Sequence, residues 1–199
     1  MTNQREQAPG DDRFDAAQAV ARSAGALALD YFRRAETLVV EHKGSQDLVS
    51  EADRETERHI RQELQSAFPV DAFMGEEHGY TEGSPGDGTW VVDPIDGTQP
   101  FLLGLPTWCI SIAYVADNRA QIGVIYNPAT DELYCAQAGV GAFVNGVPIR
   151  VRQADSLADG LTGVGCSPRT TPEHLADIMR NLLQRGGMYQ RTGSGALNL

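Results

Sequence analysis

The sequence predicts a layered α+β fold, with two N-terminal helices packed on a largely antiparallel sheet. Three observations predict it. Apolar residues recur at three-to-four spacing in two early stretches, over 14–34 and 50–68. Short alternating runs separated by turn residues fill 109–151, which is an antiparallel meander and not a βαβ run. A further helix start, Thr171-Pro172-Glu173, marks the beginning of a second α/β unit from about Arg150.

Taken in order, Phe14, Ala17, Val20, Ala24, Leu27 and Tyr31 share one face of the first helix, which Asp11 or Asp12 can cap. A short strand is expected over 38–41, and Lys43-Gly44-Ser45-Gln46-Asp47 reads as a polar loop. Ser50 with Asp53 three residues on has capping-box spacing and opens a charged helix with Thr56, Ile60, Leu64 and Phe68 as its buried stripe. Pro69 ends it. Ala72-Phe73-Met74 is another strand, running into Gly75-Glu76-Glu77, and a Gly/Pro/Ser loop over 81–89 delivers the chain to Trp90. Trp90-Val91-Val92 is a run of β-formers, and Pro94 biases Asp93 away from helical angles, so Asp93 should close the strand. Gly97-Thr98 can then open a helix.

After that motif, strands are expected over 109–115, 121–126 and 132–136, with turns at Asp117-Asn118 and Asn127-Pro128. Asn145-Gly146 between 142–144 and 147–151 is the strongest short hairpin signal in the chain. Leu175, Ile178, Met179, Leu182 and Leu183 supply the apolar face of the last helix, which Gly186-Gly187 stops. The chain ends in a small-residue turn, 192–196, and the first apolar turn of a helix too short to hold itself together, so a fragment cut inside a domain is expected. In domain terms, 1–12 is expected to be disordered, 13–149 to form an N-terminal metal-binding α+β domain, and 150–199 to begin an incomplete C-terminal α/β subdomain.

At 199 residues and a formal net charge of −11, the chain is long enough for a real core and too acidic for a general nucleic-acid or anionic-membrane binder. Three widely spaced cysteines, Cys109, Cys135 and Cys166, form no C-x-x-C, so a reduced cytoplasmic protein is the default. The N-terminus has no apolar signal core. His42, His59, His78 and His174 lack zinc-ligand spacing and read as surface or cap residues.

The chemistry is concentrated in Trp90-Val91-Val92-Asp93-Pro94-Ile95-Asp96-Gly97-Thr98, where two acids, a strand end and a helix start fall within nine residues. Such acids call for a counterion, and a hard divalent cation with oxygen ligands beside exposed amides makes a phosphate site. Glu76 and Glu77, Asp53 and Lys43 can join them. Each also has a plainer reading: Asp53 as a helix cap, Glu76-Glu77 as a solvated loop, Lys43 as a surface lysine, and D-P-x-D-G as an ordinary turn.

Together, Gly75-Glu76-Glu77, the 90–98 motif, and K-x-x-x-D-L-V-S-x-x-D over 43–53 resemble the inositol monophosphatase family. That resemblance covers roughly Phe14 to the end and implies a sandwich of the fructose-1,6-bisphosphatase type, with two or three Mg²⁺ per site and sensitivity to lithium. It implies Glu76, Asp93, the carbonyl of Ile95 and Asp96 as metal ligands, and Asp53, Thr98 and Glu76 as the catalytic set. Thr98, oriented by Asp53, would position the attacking water. Gly97 and Thr98 would cradle phosphate, and Gly193-Ser194-Gly195 would lie near the substrate ring. Lys43 and Glu77 would support the site, and Cys166-Ser167 matches a substrate-side turn only weakly.

Two departures stand out. Gln99-Pro100-Phe101 replaces the family's x-N-F, and its W-D-x-A-A-G motif has no counterpart before Leu199. The expected reaction is hydrolysis of a small phosphate monoester, myo-inositol 1-phosphate first, with little or no activity from these 199 residues alone and a homodimer at full length. The alternatives are a sister phosphatase acting on histidinol phosphate, a 3′-phosphonucleotide or fructose bisphosphate, or a regulator binding the transcription machinery through protein contacts.

Overall fold

The computed structural model describes residues 12–34, 40–44, 47–84, 87–165 and 170–199, with the side chains of 40–49 also outside the description. Of the expectation of disorder over 1–12, residues 1–11 lie outside the described residues, as do the Asp11 cap, the 38–39 part of the first strand and Cys166-Ser167, whereas Asp12 is helical.

Helix α1 (Asp12–Phe32) buries Ala17, Val20, Ala21, Ala24, Gly25 and Ala28. Its inner stripe is thus narrower and smaller than the Phe14-to-Tyr31 face suggested, because the sheet approaches closely. A Cβ on Gly25 would fall 2.5 Å from the Tyr126 ring. Strands β1 (Val40–Gly44) and β2 (Asp47–Ser50) pair antiparallel with a register shift between His42 and Gly44. Lys43 accordingly lies within a strand and not in the expected polar loop, at the irregularity where the ribbon's register shifts.

Helix α2 (Glu51–Ala67) has the capping box that its sequence announced, with Ser50 and Asp53 bonded reciprocally. Ala52, Asp53, Thr56, Glu57, Ile60 and Leu64 are buried, and Phe68 is its C-cap. Next come β3 (Ala72–Gly75), β4 (Gly79–Thr81), β5 (Thr89–Asp96) and the short helix α3 (Thr98–Leu102). The meander follows as β6 (Cys109–Ala116), β7 (Arg119–Asn127), β8 (Glu132–Gln137), β9 (Gly141–Val144) and β10 (Val147–Ile149).

These strands form one eight-stranded sheet in the order β10-β9-β8-β7-β6-β5-β3-β4. Only the β3–β5 pair within it is parallel. The hairpin turns have the left-handed angles that two-residue loops need, with φ of 52° and 57° at Asp117 and Asn118, and 47° and 78° at Asn145 and Gly146.

Trp90, Trp108, Phe73 and Phe101 are fully buried where α1 and α2 meet the sheet, each worth roughly 1.5–3 kcal/mol relative to exposure. Buried Asp71 ties the layers: Arg13 of α1 donates to both of its oxygens at 2.8 Å, and Trp90 Nε1 donates at 3.0 Å. Arg13 also lies over the Phe68 and Tyr114 rings.

Beyond the meander, β11 (Leu161–Gly163) and β12 (Met188–Gln190) form a separate parallel pair flanking α4 (Pro172–Gln184). Thr171 caps α4 through His174 N, with Pro172 in its first turn. Of the apolar face read for α4 only Leu182 is buried, while Ile178 and Leu183 remain exposed. No described helix is long and apolar enough to cross a membrane.

Candidate active site

The parallel register of β3 and β5 brings the first two acids together. Gly75 lies opposite Val92, so one residue further along both strands Glu76 and Asp93 emerge side by side. Asp93 does not end its strand, as Pro94 had suggested. β5 continues along β6 to pair Asp96 with Cys109, and the proline sits in the irregularity between Asp93 and Asp96, where no ladder bond needs its missing N–H.

Asp93 is half-buried, and its carboxyl is pushed well above the ordinary range. Burial is the main cause, followed by the charges of Glu76 and Asp96 and a hydrogen bond shared with Glu76. Its Oδ1 also accepts from Ile95 N at 3.2 Å. Asp96 is turned the other way. Ser194 Oγ and Ala196 N (2.7 Å) donate to its Oδ2, and Gly195 N donates to Oδ1 at 3.1 Å. With Asp96 so occupied, no three described His, Cys, Asp or Glu side chains gather closely enough to enclose an ion.

Asp53 does more than cap. Its Oδ2 accepts from Ser50 N (2.8 Å) and Ser50 Oγ (2.6 Å), while Thr98 Oγ1 lies 3.3 Å from its Oδ1 and 3.2 Å from Ile95 O. Burial raises its carboxyl to about 6 against the lowering effect of the Ser50 bonds. The Asp53–Thr98 and Thr98–Ile95 contacts thus bind the start of α2 to the β5–α3 junction. Gly97 holds that junction at φ 99°, and a Cβ there would fall 2.9 Å from Thr107 O.

Gly193-Ser194-Gly195 reaches the same junction from the far end of the chain. Gly193 packs on the unexpected Pro100, where a Cβ would come within 2.5 Å of the ring, so the Gln99-Pro100 departure has a fitted neighbour. A groove of 190 Å³ runs beside them, lined by Gln99, Pro100, Leu103, Leu105, Arg191, Thr192 and Gly193. Cys109, buried as expected, lies 3.7 Å from both Asp96 Oδ2 and Ser194 Oγ, and burial pushes its thiol up. Lys43 contributes no described side chain. Glu77 is half-buried in the turn after β3.

Glu57 was not singled out from the sequence. It is fully buried and accepts from Glu77 N at 2.7 Å, His78 N at 3.0 Å and His78 Nδ1 at 2.8 Å. His78 is thereby more than a surface residue. The available signal was a glutamate beside the apolar stripe of α2, one turn after Asp53.

The donors suit a hard divalent cation: the carboxylates of Glu76 and Asp93 emerge side by side, with the Ile95 carbonyl close by in the same strand. Glu76, Asp93 and the Ile95 carbonyl would hold it, joined by Asp96 once its carboxylate turns from Ser194.

Comparison with known proteins agrees in outline. The sequence model of the inositol monophosphatase family matches residues 11–199. The chain is 40% identical over 184 residues to the inositol-1-monophosphatase of Rhizobium meliloti, covering 92% of this chain and 69% of that one. It is 34% identical over 182 residues to the Nus factor SuhB of Haemophilus influenzae, covering 90% and 68% respectively. The structure of Thermotoga maritima IMPase superposes with a TM-score of 0.84 at 34% identity, covering 94% of this chain and 71% of that one.

Proposed function

From the premise that the chain belongs to the inositol monophosphatase family, we propose that it hydrolyses a small phosphate monoester, myo-inositol 1-phosphate first, with Mg²⁺ as cofactor. The observation that supports this reading is the side-by-side emergence of Glu76 and Asp93 from paired strands, next to the Ile95 carbonyl that Thr98 links to Asp53.

When bound, Mg²⁺ supplies positive charge that activates an attacking water and stabilises the departing alkoxide. The chain's own part is to hold the water and the phosphate in line. Asp53, ionised, accepts from the Thr98 hydroxyl and fixes its direction, leaving the Thr98 oxygen to receive a hydrogen bond from the water. Gly97, held at a left-handed angle with no room for a Cβ beside Thr107 O, sets the turn that opens α3, where the backbone would meet phosphate. Ser194 and the amides of Gly195 and Ala196 hold Asp96, which would have to turn from them to join a cation. Lys43 and Glu77 support the site by analogy with the family, which also implies two or three Mg²⁺ per site. Lithium competes for the same ligands in this reading. Cys109 and Cys135, buried and free, suit a reducing cytoplasm, and a homodimer is proposed by analogy with the family.

The test is a phosphate-release screen over inositol, histidinol, 3′-phosphonucleotide and fructose phosphates, with Mg²⁺ and with Asp96→Asn as control. Release on one substrate, lowered at least roughly 100-fold in Asp96→Asn, is expected. Release that survives the substitution removes the metal assignment. The SuhB relative's name favours a second reading, a regulator of transcription machinery, and silence on every substrate would support it.

A further inference from the structure

We infer that Glu57 is the positioning residue for Glu76, and that Asp53, Glu57 and Arg61 make α2 a ruler setting the distance between the two acid-bearing loops. This rests on the cation-dependent reading above. Glu57 is fully buried, and a charge in that position needs several donors to persist. Three of its partners, Glu77 N, His78 N and His78 Nδ1, come from the turn that begins at Glu76. The fourth, Arg61, lies 3.5 Å away on the next turn of the same helix.

Glu76 is therefore fixed on both sides. Behind it, Gly75 is locked into register with Val92 and packs on Glu57 so tightly that a Cβ would fall 2.3 Å from the carboxyl carbon. Ahead of it, the Glu77 amide is tied to Glu57 Oε2. The turn presents two adjacent N–H groups that only an anion satisfies together. A glutamine offers one oxygen and sets its own N–H₂ against the remaining donor.

The same helix face carries the other contacts. Arg61 donates to Thr81 Oγ1 at 2.8 Å and Gly79 O at 3.3 Å, with its guanidinium 4.6 Å over the Phe73 ring, so it holds the returning limb of the turn. Asp53 reaches Thr98 in the other loop. Positions 53, 57 and 61 recur every four residues and run along one side of α2, each about 6 Å further along its axis. The helix's rise thus fixes how far the Glu76 turn stands from the β5–α3 junction.

The test compares the parent chain with Glu57→Gln by backbone amide hydrogen exchange without metal and by Mg²⁺ titration calorimetry. Glu77 and His78 amides should exchange at least roughly 10-fold faster in the variant, with β7 and β8 unchanged. Mg²⁺ affinity should fall roughly 10- to 100-fold, with phosphate release recovering at saturating Mg²⁺. Gly75→Ala, which keeps the carboxylate but forces it aside, should weaken Mg²⁺ binding in the same way. Unchanged exchange at Glu77 and His78, or unchanged Mg²⁺ affinity in a variant whose turn has loosened, overturns the positioning role. A parent that takes up no Mg²⁺ overturns the cation reading itself, a different result from a parent that binds and a variant that binds equally well.

Discussion

Asp53 bonds Ser50 through one oxygen and faces Thr98 through the other, and burial lifts its carboxyl to about 6. The unfolded value lies near 4, so folding favours the protonated form. The stability this gives is complete below about pH 4 and is withdrawn as pH rises through about 6, a loss on the order of 3 kcal/mol in metal-free protein. Thermal unfolding of the metal-free chain should show Tm falling across that interval, and Asp53→Asn should flatten the fall. A metal-free Tm that climbs through the interval instead contradicts the assignment. At this scale the cap was legible from local spacing, whereas the Asp53–Thr98 bond was expected only through the family resemblance, because Thr98 is brought to Asp53 only by tertiary packing. Glu57 escaped for the same reason: its partners are backbone amides, which have no letter in a sequence.

Among the elements, the ones legible beforehand were those whose signals are local. The Ser50–Asp53 box, Thr171-Pro172 and Asn145-Gly146 each prescribe their own geometry. The β3–β5 parallel pair and the β11–β12 pair were not legible, since register between distant segments leaves no periodic trace. Gly193-Ser194-Gly195 was expected near the substrate, and what its letters did not show is that Ser194 and the amides of Gly195 and Ala196 hold Asp96. A testable consequence follows for that segment. If Asp96 must leave Ser194 to bind a cation, saturating Mg²⁺ should accelerate exchange at the Gly195 and Ala196 amides several-fold while leaving those of β6 unaltered. Amides at 195–196 that become more protected with Mg²⁺ would show that Asp96 keeps these partners.

For the molecule as a whole, a net charge of −11 and a half-buried knot of acids act in the same direction. Added salt screens the surface repulsion, since the Debye length shrinks from about 30 Å at 0.01 M to about 8 Å at 0.15 M. It does less for Asp93 and Asp96, which are half-buried. Millimolar MgCl₂ should therefore raise Tm more than NaCl of equal ionic strength, and Asp96→Asn should erase most of the difference. Equal effects of the two salts in the parent would mean that no specific cation site exists. The family was legible because its motifs keep their order and spacing, although the mutual placement of their side chains had to come from the fold.

The parallel pairing of β3 with β5 also imposes a chronology on folding. The β6–β7 and β9–β10 hairpins close between neighbouring residues, while β3 meets β5 only after the chain has turned back through β4 and the loop that follows it. Glu76 and Asp93 are brought side by side only when this pair forms, so their repulsion opposes that pairing and none of the meander's hairpins.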